Sequence, residues 1–387
     1  MFSLSDYFYT LPPELIAQDA CKPHHKAKAM IIDRKNGEII GETDFWNIDT
    51  YIPKNRVLFF NNSKVLPARV RLREVLIENS DGLPGIIKDG EILFCQKLPN
   101  GSFEALVRPG NKFKIGTQIF LGGGYLKVMG ISESGRYLQA YDTSIEDIMK
   151  TLGELPLPPY IHYEKTKEVD YQTSFGTKEG SVAAPTASLH FTKELLTKIP
   201  NKKEFITLHV GMGTFKPVDT LDIRDYHIHS ELIEIPLDMF ENIALLKENN
   251  EKILAVGTTV ARTLESLPHV WKKLSQEQKQ RCTQETRIYW DTLCETIEDE
   301  GYIHDLSLDM ESSSIHFSTT IFIYPGKKFL LIDDLITNFH LPESSLLMLV
   351  SAFLEAPTLL SLYNEAIEKK YRFFSFGDGM YIRGNDF

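Results

Sequence analysis

The sequence predicts an α/β protein in which a layered α/β domain carries an inserted small antiparallel β-barrel. After Pro156, apolar strand-like runs alternate with helical patterns, the rhythm of a layered α/β architecture. Between Arg56 and Pro156 the apolar runs are short and broken by Gly, Pro and Asn, as in an antiparallel barrel or sandwich. A length of 387 residues also exceeds one typical domain. The expected division is residues 1–60 and 154–387 as a discontinuous α/β catalytic domain, 61–153 as the barrel, and 267–318 as a peripheral excursion.

Within the barrel block, RVLFF, ARVRLREVLI, GEILFCQKL, FEALVRPG, TQIFLGGGYLKVMG and RYLQAY read as strands. Val70 and Leu72 alternate with Arg69, Arg71 and Arg73, the period of a half-buried strand. In the second block Thr192 is placed to cap a helix through KELLTKI, with Glu194 in its first turn. FITLHVG, KILAVG and FLLIDDLI then read as strands. ENIALLKENN, TTVARTLESL, SSLLMLVSAFL and TLLSLYNEAIEKK read as helices, and YRFFSFGD as a final strand ending at Asp378.

Composition is that of an ordinary globular protein, 42% hydrophobic and 25% charged. Cys21, Cys95, Cys282 and Cys294 share no zinc-like or redox-like spacing, so free thiols in a cytoplasmic protein are expected. The N-terminus lacks a basic region followed by an apolar stretch, and the apolar run at Leu346 to Leu354 is too short to span a bilayer. The net charge of −11 is unfavourable for nucleic acid. It is unevenly spread. Asp291, Glu295, Glu298, Asp299, Glu300, Asp305, Asp309 and Glu311 form one acidic stretch. Lys54, Arg56, Lys64, Arg69, Arg71 and Arg73, and separately Arg108, Lys112 and Lys114, form basic ones, available as a basic surface or as ordinary solvated charge.

Four polar segments interrupt the apolar framework near strand ends, where open α/β sheets hold ligands. GSVAAPTASLHFT offers Thr186, His190 and Thr192 among small residues, or else a tight loop with a packed histidine. LHVGMGTFKPV carries His209 and a lone G-x-G, which is weak as a dinucleotide signal. AVGTT puts Thr258 and Thr259 at a helix N-terminus suited to a carboxylate or phosphate, with Arg262 one turn on, although simple capping accounts for it too. LITNFHLPESS presents Asn338 and His340, the latter the imidazole best placed for acid–base work unless both merely satisfy turn backbone. P-loop, H-E-x-x-H, G-x-S-x-G and paired-cysteine zinc signatures are absent.

Taken in order, LPPELIAQ, PAR at Pro67, LVRPG, PLPPYI, YQT, GSVAAPTA-LHFT, LHVG-GTFKPV, GTT, IFIYPG, TNFHLP with LLMLVSAF, and YRFFS-GD closely resemble the S-adenosylmethionine:tRNA ribosyltransferase-isomerase family of queuosine biosynthesis. The resemblance covers nearly the whole chain. It implies an α/β domain with an inserted β-barrel. It also implies a reaction in which the ribosyl part of S-adenosylmethionine moves onto 7-aminomethyl-7-deazaguanine at the tRNA wobble position. Epoxyqueuosine-tRNA, adenine and methionine are the products. S-adenosylmethionine is then a consumed co-substrate, with no metal or redox cofactor, and tRNA the macromolecular partner of a monomeric, non-membrane protein.

Such chemistry needs a base at the carbon beside the sulfonium, an acid for departing adenine, an anion site and exclusion of water. His190, His340 and His209 are the acid–base candidates, with Asp378 for the methionine ammonium or a ribose hydroxyl. Thr186, Thr258, Thr259, Arg262, Asn338, Tyr324, Arg69 and Arg108 are the candidates for substrate binding. The chain departs from the family pattern at His24 to Lys28, at NNSKV (Asn62 and Lys64), and at Ser188, Tyr226 and Val260. Lys64 keeps a charge but loses the bidentate fork of arginine. Two rival readings are a paralogue that binds tRNA or S-adenosylmethionine without turnover, and a small-molecule S-adenosylmethionine enzyme that uses no RNA.

Overall fold

The computed structural model describes residues 2–98, 100–132, 135–215, 217–295, 297–298 and 300–384. Lys216 of the second polar segment and Asp299 of the acidic stretch lie outside the described residues.

A ten-stranded sheet forms the main body. Its order is Ile303–Asp309, Ser314–Thr319, Glu231–Pro236, Lys203–His209, Arg56–Asn61, Lys252–Val256, Asp334–Asn338, Gly379–Arg383, Lys28–Asp33 and Ile39–Asp44. The four strands from Lys203–His209 to Asp334–Asn338 are mutually parallel, so their carboxyl ends share one edge. Both faces are buried, which requires near-continuous apolar strands. Val57, Phe59, Ile253 and Ala255 enter one core, while Leu58, Phe60, Leu254 and Val256 enter the other. At the far end of these strands Arg56 and Asp334 form a fully buried ion pair at 2.9 Å, and the Tyr381 hydroxyl donates to the same carboxylate at 2.6 Å.

The short strands make a separate seven-stranded antiparallel sheet. Gly153–Glu154, Arg69–Glu78, Pro84–Lys97, Phe103–Arg108, Arg136–Tyr141, Gly124–Ile131 and Gln118–Leu121 follow in that order, and Gln118–Leu121 pairs again with Arg69–Glu78. Val70 and Leu72 point into its core, and Arg71 and Arg73 point out. The 145–152 helix adds Ile145, Ile148 and Met149 to that core.

Three expectations are corrected. YRFFSFGD is not a strand: the last strand is Gly379–Arg383, and Asp378 precedes it. The strand expected from FLLIDDLI begins only at Asp334. Upstream, the backbone N–H groups of Leu330, Leu331 and Ile332 donate to the buried Glu265 carboxylate, at 2.7–2.9 Å, instead of to a ladder. The 267–318 stretch is not wholly peripheral. It begins inside the Thr258–Lys273 helix and ends as the two outermost strands on one side of the main sheet. Between them, Trp290 packs on Phe240 and Trp271 and donates to the Phe240 carbonyl.

Thr192 caps Lys193–Lys198 by accepting from Leu195 N–H. All four cysteines are free. No single helix among the described residues is long and apolar enough to cross a membrane. The bent pair Ser345–Leu354 and Ala356–Glu368 has the length and composition, but most of Ser345–Leu354 is buried in the protein core.

Candidate functional site

The parallel strands end around a small cleft that is partly open to solvent. All four polar segments meet there. Ala183–Ala187 forms one wall, Gly257, Thr258 and Thr259 the second, and Thr337–Leu341 the third, while Val210 and Thr214 come from the second polar segment and Tyr160, Ser344, Leu346, Phe374 and Ser375 complete the lining.

The Gly257 corner carries the clearest anion geometry. Gly257 has φ +98, which a side chain rarely adopts, and it opens the 16-residue helix Thr258–Lys273. No side chain caps this helix. Its first residues, Thr258 and Thr259, therefore bring amides without side-chain caps to the lining of the cleft. Asn61, at the end of the neighbouring strand, lies 3.4 Å from Thr259 Oγ1 and binds both the N–H and the carbonyl of Leu208.

Asn338 organises the opposite side. Its Nδ2 donates to His190 Nε2 at 3.2 Å and to the carbonyls of Phe374 and Asp378, and its Oδ1 accepts from Thr186 Oγ1 at 3.2 Å. His190 is buried and stacks on Phe45, with ring centroids 4.0 Å apart. Burial, helped by the neighbouring charges of His24 and Arg372, pushes its pKa down to about 3. His340 is likewise buried and pushed down to about 3. Its Nε2 lies 2.7 Å from Thr337 Oγ1, its N–H donates to the Tyr363 hydroxyl, and its carbonyl accepts from Tyr9. Both imidazoles are neutral at pH 7 and already hydrogen-bonded, which makes them weak bases there.

The other predicted residues lie elsewhere. Asp378 is buried and does not line the cleft. Its carboxylate accepts the Lys28 and Arg372 backbone N–H groups, each at 2.8 Å, and so joins the Lys28–Asp33 strand to the final turn. Arg262 turns away from its helix N-terminus to a buried ion pair with Glu231 and donates to the Ile321 carbonyl. Burial alone would raise the Glu231 pKa, but Arg262 and His229 hold it down at about 2. Tyr324 packs on Phe322 and Phe2. Arg69 pairs with Glu91 at 3.5 Å, and exposed Arg108 lies opposite Glu91 in the same sheet. Of the basic stretch, Arg56 is buried, while Lys64 and Arg71 are paired with Glu179 and Glu154. Only part of the predicted basic surface is therefore free charge.

His209 lines a second cavity between the two sheets. The departing HHKAK segment packs against the first polar segment. His24 Nδ1 lies 3.1 Å from the Leu189 carbonyl, its Nε2 lies 3.2 Å from Asp170, and His25 Nδ1 lies 2.9 Å from Thr192 Oγ1. Sequence reasoning missed Tyr160, Thr214, Thr337 and Ser375 as cleft residues. Tyr160, Thr214, Thr337 and Ser375 sit inside the motifs PLPPYI, LHVG-GTFKPV, TNFHLP and YRFFS, so the signal was present. Glu231 had none, because its partner is 31 residues away.

A family model described as queuosine biosynthesis protein matches residues 4–382. Three relatives, each named S-adenosylmethionine:tRNA ribosyltransferase-isomerase, are similar along nearly their whole length. The protein of Lachnoclostridium phytofermentans is 39% identical over 392 residues, covering 98% of this chain and 97% of its own. Those of Caldanaerobacter subterraneus subsp. tengcongensis and a Thermoanaerobacter species are each 39% identical, over 98% of this chain and 99% of their own. The crystal structure of an S-adenosylmethionine tRNA ribosyltransferase from Thermotoga maritima is 29% identical, covers 97% of this chain and 99% of its own, and has a TM-score of 0.48.

Proposed function

The chain belongs to the queuosine biosynthesis protein family, and from that premise we propose that it is an S-adenosylmethionine:tRNA ribosyltransferase-isomerase. The observation that carries this is 39% identity over 98% of the chain to relatives of that name. The substrates are S-adenosylmethionine and tRNA bearing 7-aminomethyl-7-deazaguanine at the wobble position, and the products are epoxyqueuosine-tRNA, adenine and methionine. This chemistry calls for no metal or redox cofactor. The protein acts as a cytoplasmic monomer.

In this reading the cleft at the strand ends holds S-adenosylmethionine. The methionine carboxylate takes the uncapped first-turn amides that follow Gly257 and the hydroxyls of Thr258 and Thr259, an arrangement supported by the positive end of a helix dipole. Thr186, Asn338 and His190 form a neutral hydrogen-bonding chain for the nucleoside, and His340 braces the 337–341 turn. His190 and His340 act as neutral partners rather than proton carriers, because burial holds both far below pH 7 and Asn338 and Thr337 already occupy their Nε2 atoms. Arg262 and Asp378 are positioning residues.

We assign residues 1–60 and 154–387 to the catalytic domain and 61–153 to an inserted barrel. The second pairing of Arg69–Glu78 with Gln118–Leu121 supports closure. Arg69 and Arg108, on that barrel, are assigned to tRNA phosphate contacts.

The test is incubation with S-adenosylmethionine and precursor-bearing tRNA, followed by assay of adenine, methionine and the modified nucleoside. RNA-dependent release of both small products is expected. Tight tRNA binding without release would mean a non-catalytic paralogue, and release without RNA a small-molecule enzyme.

A further inference from the structure

A second and larger cavity, about 790 Å³ and partly open to solvent, separates the seven-stranded sheet from the ten-stranded one. Val210 lines both cavities, and adjacent residues of one segment, Val182 and Ala183, line the second and the first respectively. A donor in one and an acceptor in the other would lie on either side of this shared wall, the close approach that transfer between two bound molecules requires. The walls of the second cavity include Phe94, Phe103, Val182 and Leu232, apolar surface matched to the face of a heterocycle.

His209 is the imidazole of this cavity. It packs against Gly180, whose φ of +147 and missing side chain make room for the ring. A Cβ there would lie 2.5 Å from His209 Nδ1. That Nδ1 is buried with no hydrogen-bond partner among the described residues, which leaves it free to bond a ligand. Burial lowers the His209 pKa and keeps the ring neutral. The charges around it offset one another. Glu234 raises its pKa while Lys178 and His316 lower it, and Lys178 is itself paired with Glu234 at 2.6 Å. On the lining residues nearby, Glu179 is paired with Lys64, and Glu231 with Arg262.

We propose that this second cavity seats the acceptor nucleobase, and that His209 takes a proton from its primary alkylammonium group to create the attacking amine. The inference rests on the ribosyltransferase reading. In the step, one N–H bond of the ammonium breaks and its electron pair stays on nitrogen as the nucleophilic lone pair. The proton bonds to the imidazole, which becomes imidazolium, so charge is conserved.

The decisive variant is His209→Gln, assayed for tRNA-dependent adenine release from pH 7 to 9.5, with S-adenosylmethionine affinity measured calorimetrically without tRNA. At pH 7 the loss in kcat/KM for tRNA is expected to be about 10²–10⁴-fold, the usual contribution of a positioned base. The deficit should shrink as pH approaches the amine's own pKa of about 10, where the free amine needs no base. S-adenosylmethionine affinity should stay within about twofold, since His209 is not among the residues that line the first cavity. A second variant, Leu232→Trp, fills the cavity from an exposed position. It should raise the KM for tRNA about tenfold, the effect of occupying an apolar slot, and leave S-adenosylmethionine affinity unchanged. A loss under about tenfold at pH 7, a deficit that does not vary with pH, or an unaltered KM in Leu232→Trp each overturns the proposal. Wild-type protein that releases no adenine at any pH overturns the ribosyltransferase reading instead.

Discussion

Asn338 donates from Nδ2 to His190 Nε2 at 3.2 Å, which fixes that nitrogen as the acceptor of the imidazole. The amide cannot be turned round, because Nδ2 also faces two carbonyls, those of Phe374 and Asp378, which only accept. Oδ1 is left for the Thr186 hydroxyl.

Replacing this hub should weaken donor binding more than it weakens the fold. Asn338→Leu is expected to lower S-adenosylmethionine affinity about tenfold or more and stability by about 1–3 kcal/mol, the cost of leaving buried partners unpaired. Calorimetric titration and urea unfolding read the two effects separately. Unaltered affinity would remove Asn338 from the donor site.

Acid should destabilise the protein through its two buried imidazoles. His190 and His340 are pushed from 6.5 down to about 3. The unfolded chain takes up these protons near pH 6.5 and the folded chain only near 3. Stability is therefore complete above 6.5 and is lost as the pH falls toward 3. The slope is about 1.4 kcal/mol per pH unit for each ring, about 3 for both. Urea titrations at pH 7 and pH 5 measure it, and His340→Gln should flatten it by about half. Equal slopes in wild type and variant would contradict this assignment.

The Arg262–Glu231 pair predicts an asymmetry. Arg262→Leu leaves a buried carboxylate without its cation and should cost about 3–5 kcal/mol, whereas Arg262→Leu with Glu231→Leu should recover most of it. Denaturant midpoints of the two variants decide the matter. A double variant no more stable than the single one would mean that the pair has another essential partner.

Asp378 separates a structural role from a substrate role. Asp378→Ala removes two charge-assisted bonds to backbone N–H groups and should cost about 2–4 kcal/mol. Affinity for S-adenosylmethionine, measured on protein that remains folded, should change less than about threefold, because no substrate contact is lost. A large loss of affinity at full folding would return Asp378 to the methionine ammonium.

The legible parts of this molecule were those written in local pattern. The alternation at Arg69–Arg73, the Thr192 cap and the run KILAVG followed by TTVAR each specify an element within a few residues, and each is found where expected. Ala183–Ala187, Gly257–Thr259 and Thr337–Leu341 were legible as chemistry because polar residues interrupt apolar runs at strand ends, and they line one cleft. What failed depends on distant partners. Arg262 looked free at a helix N-terminus, and only the fold brings Glu231 to it. Asp378 looked available at a strand end, and only the fold spends its carboxylate on Lys28 and Arg372. FLLIDDLI has strand composition throughout, but Glu265, more than sixty residues earlier, takes its first amides.

The outermost strand of the main sheet, Ile303–Asp309, leaves one ladder edge without a neighbouring strand among the described residues. Its pairing register with Ser314–Thr319 shifts between His304 and Ser307, and Asp305 in that gap takes φ +51. Exposed Asp305 and Asp309 place negative charge along the same rim. A kinked, anionic border of this kind cannot template the addition of another chain, since an arriving strand would meet both a broken hydrogen-bond pattern and charge repulsion. Asp305 and Asp309 thus guard this border against self-association into extended sheets.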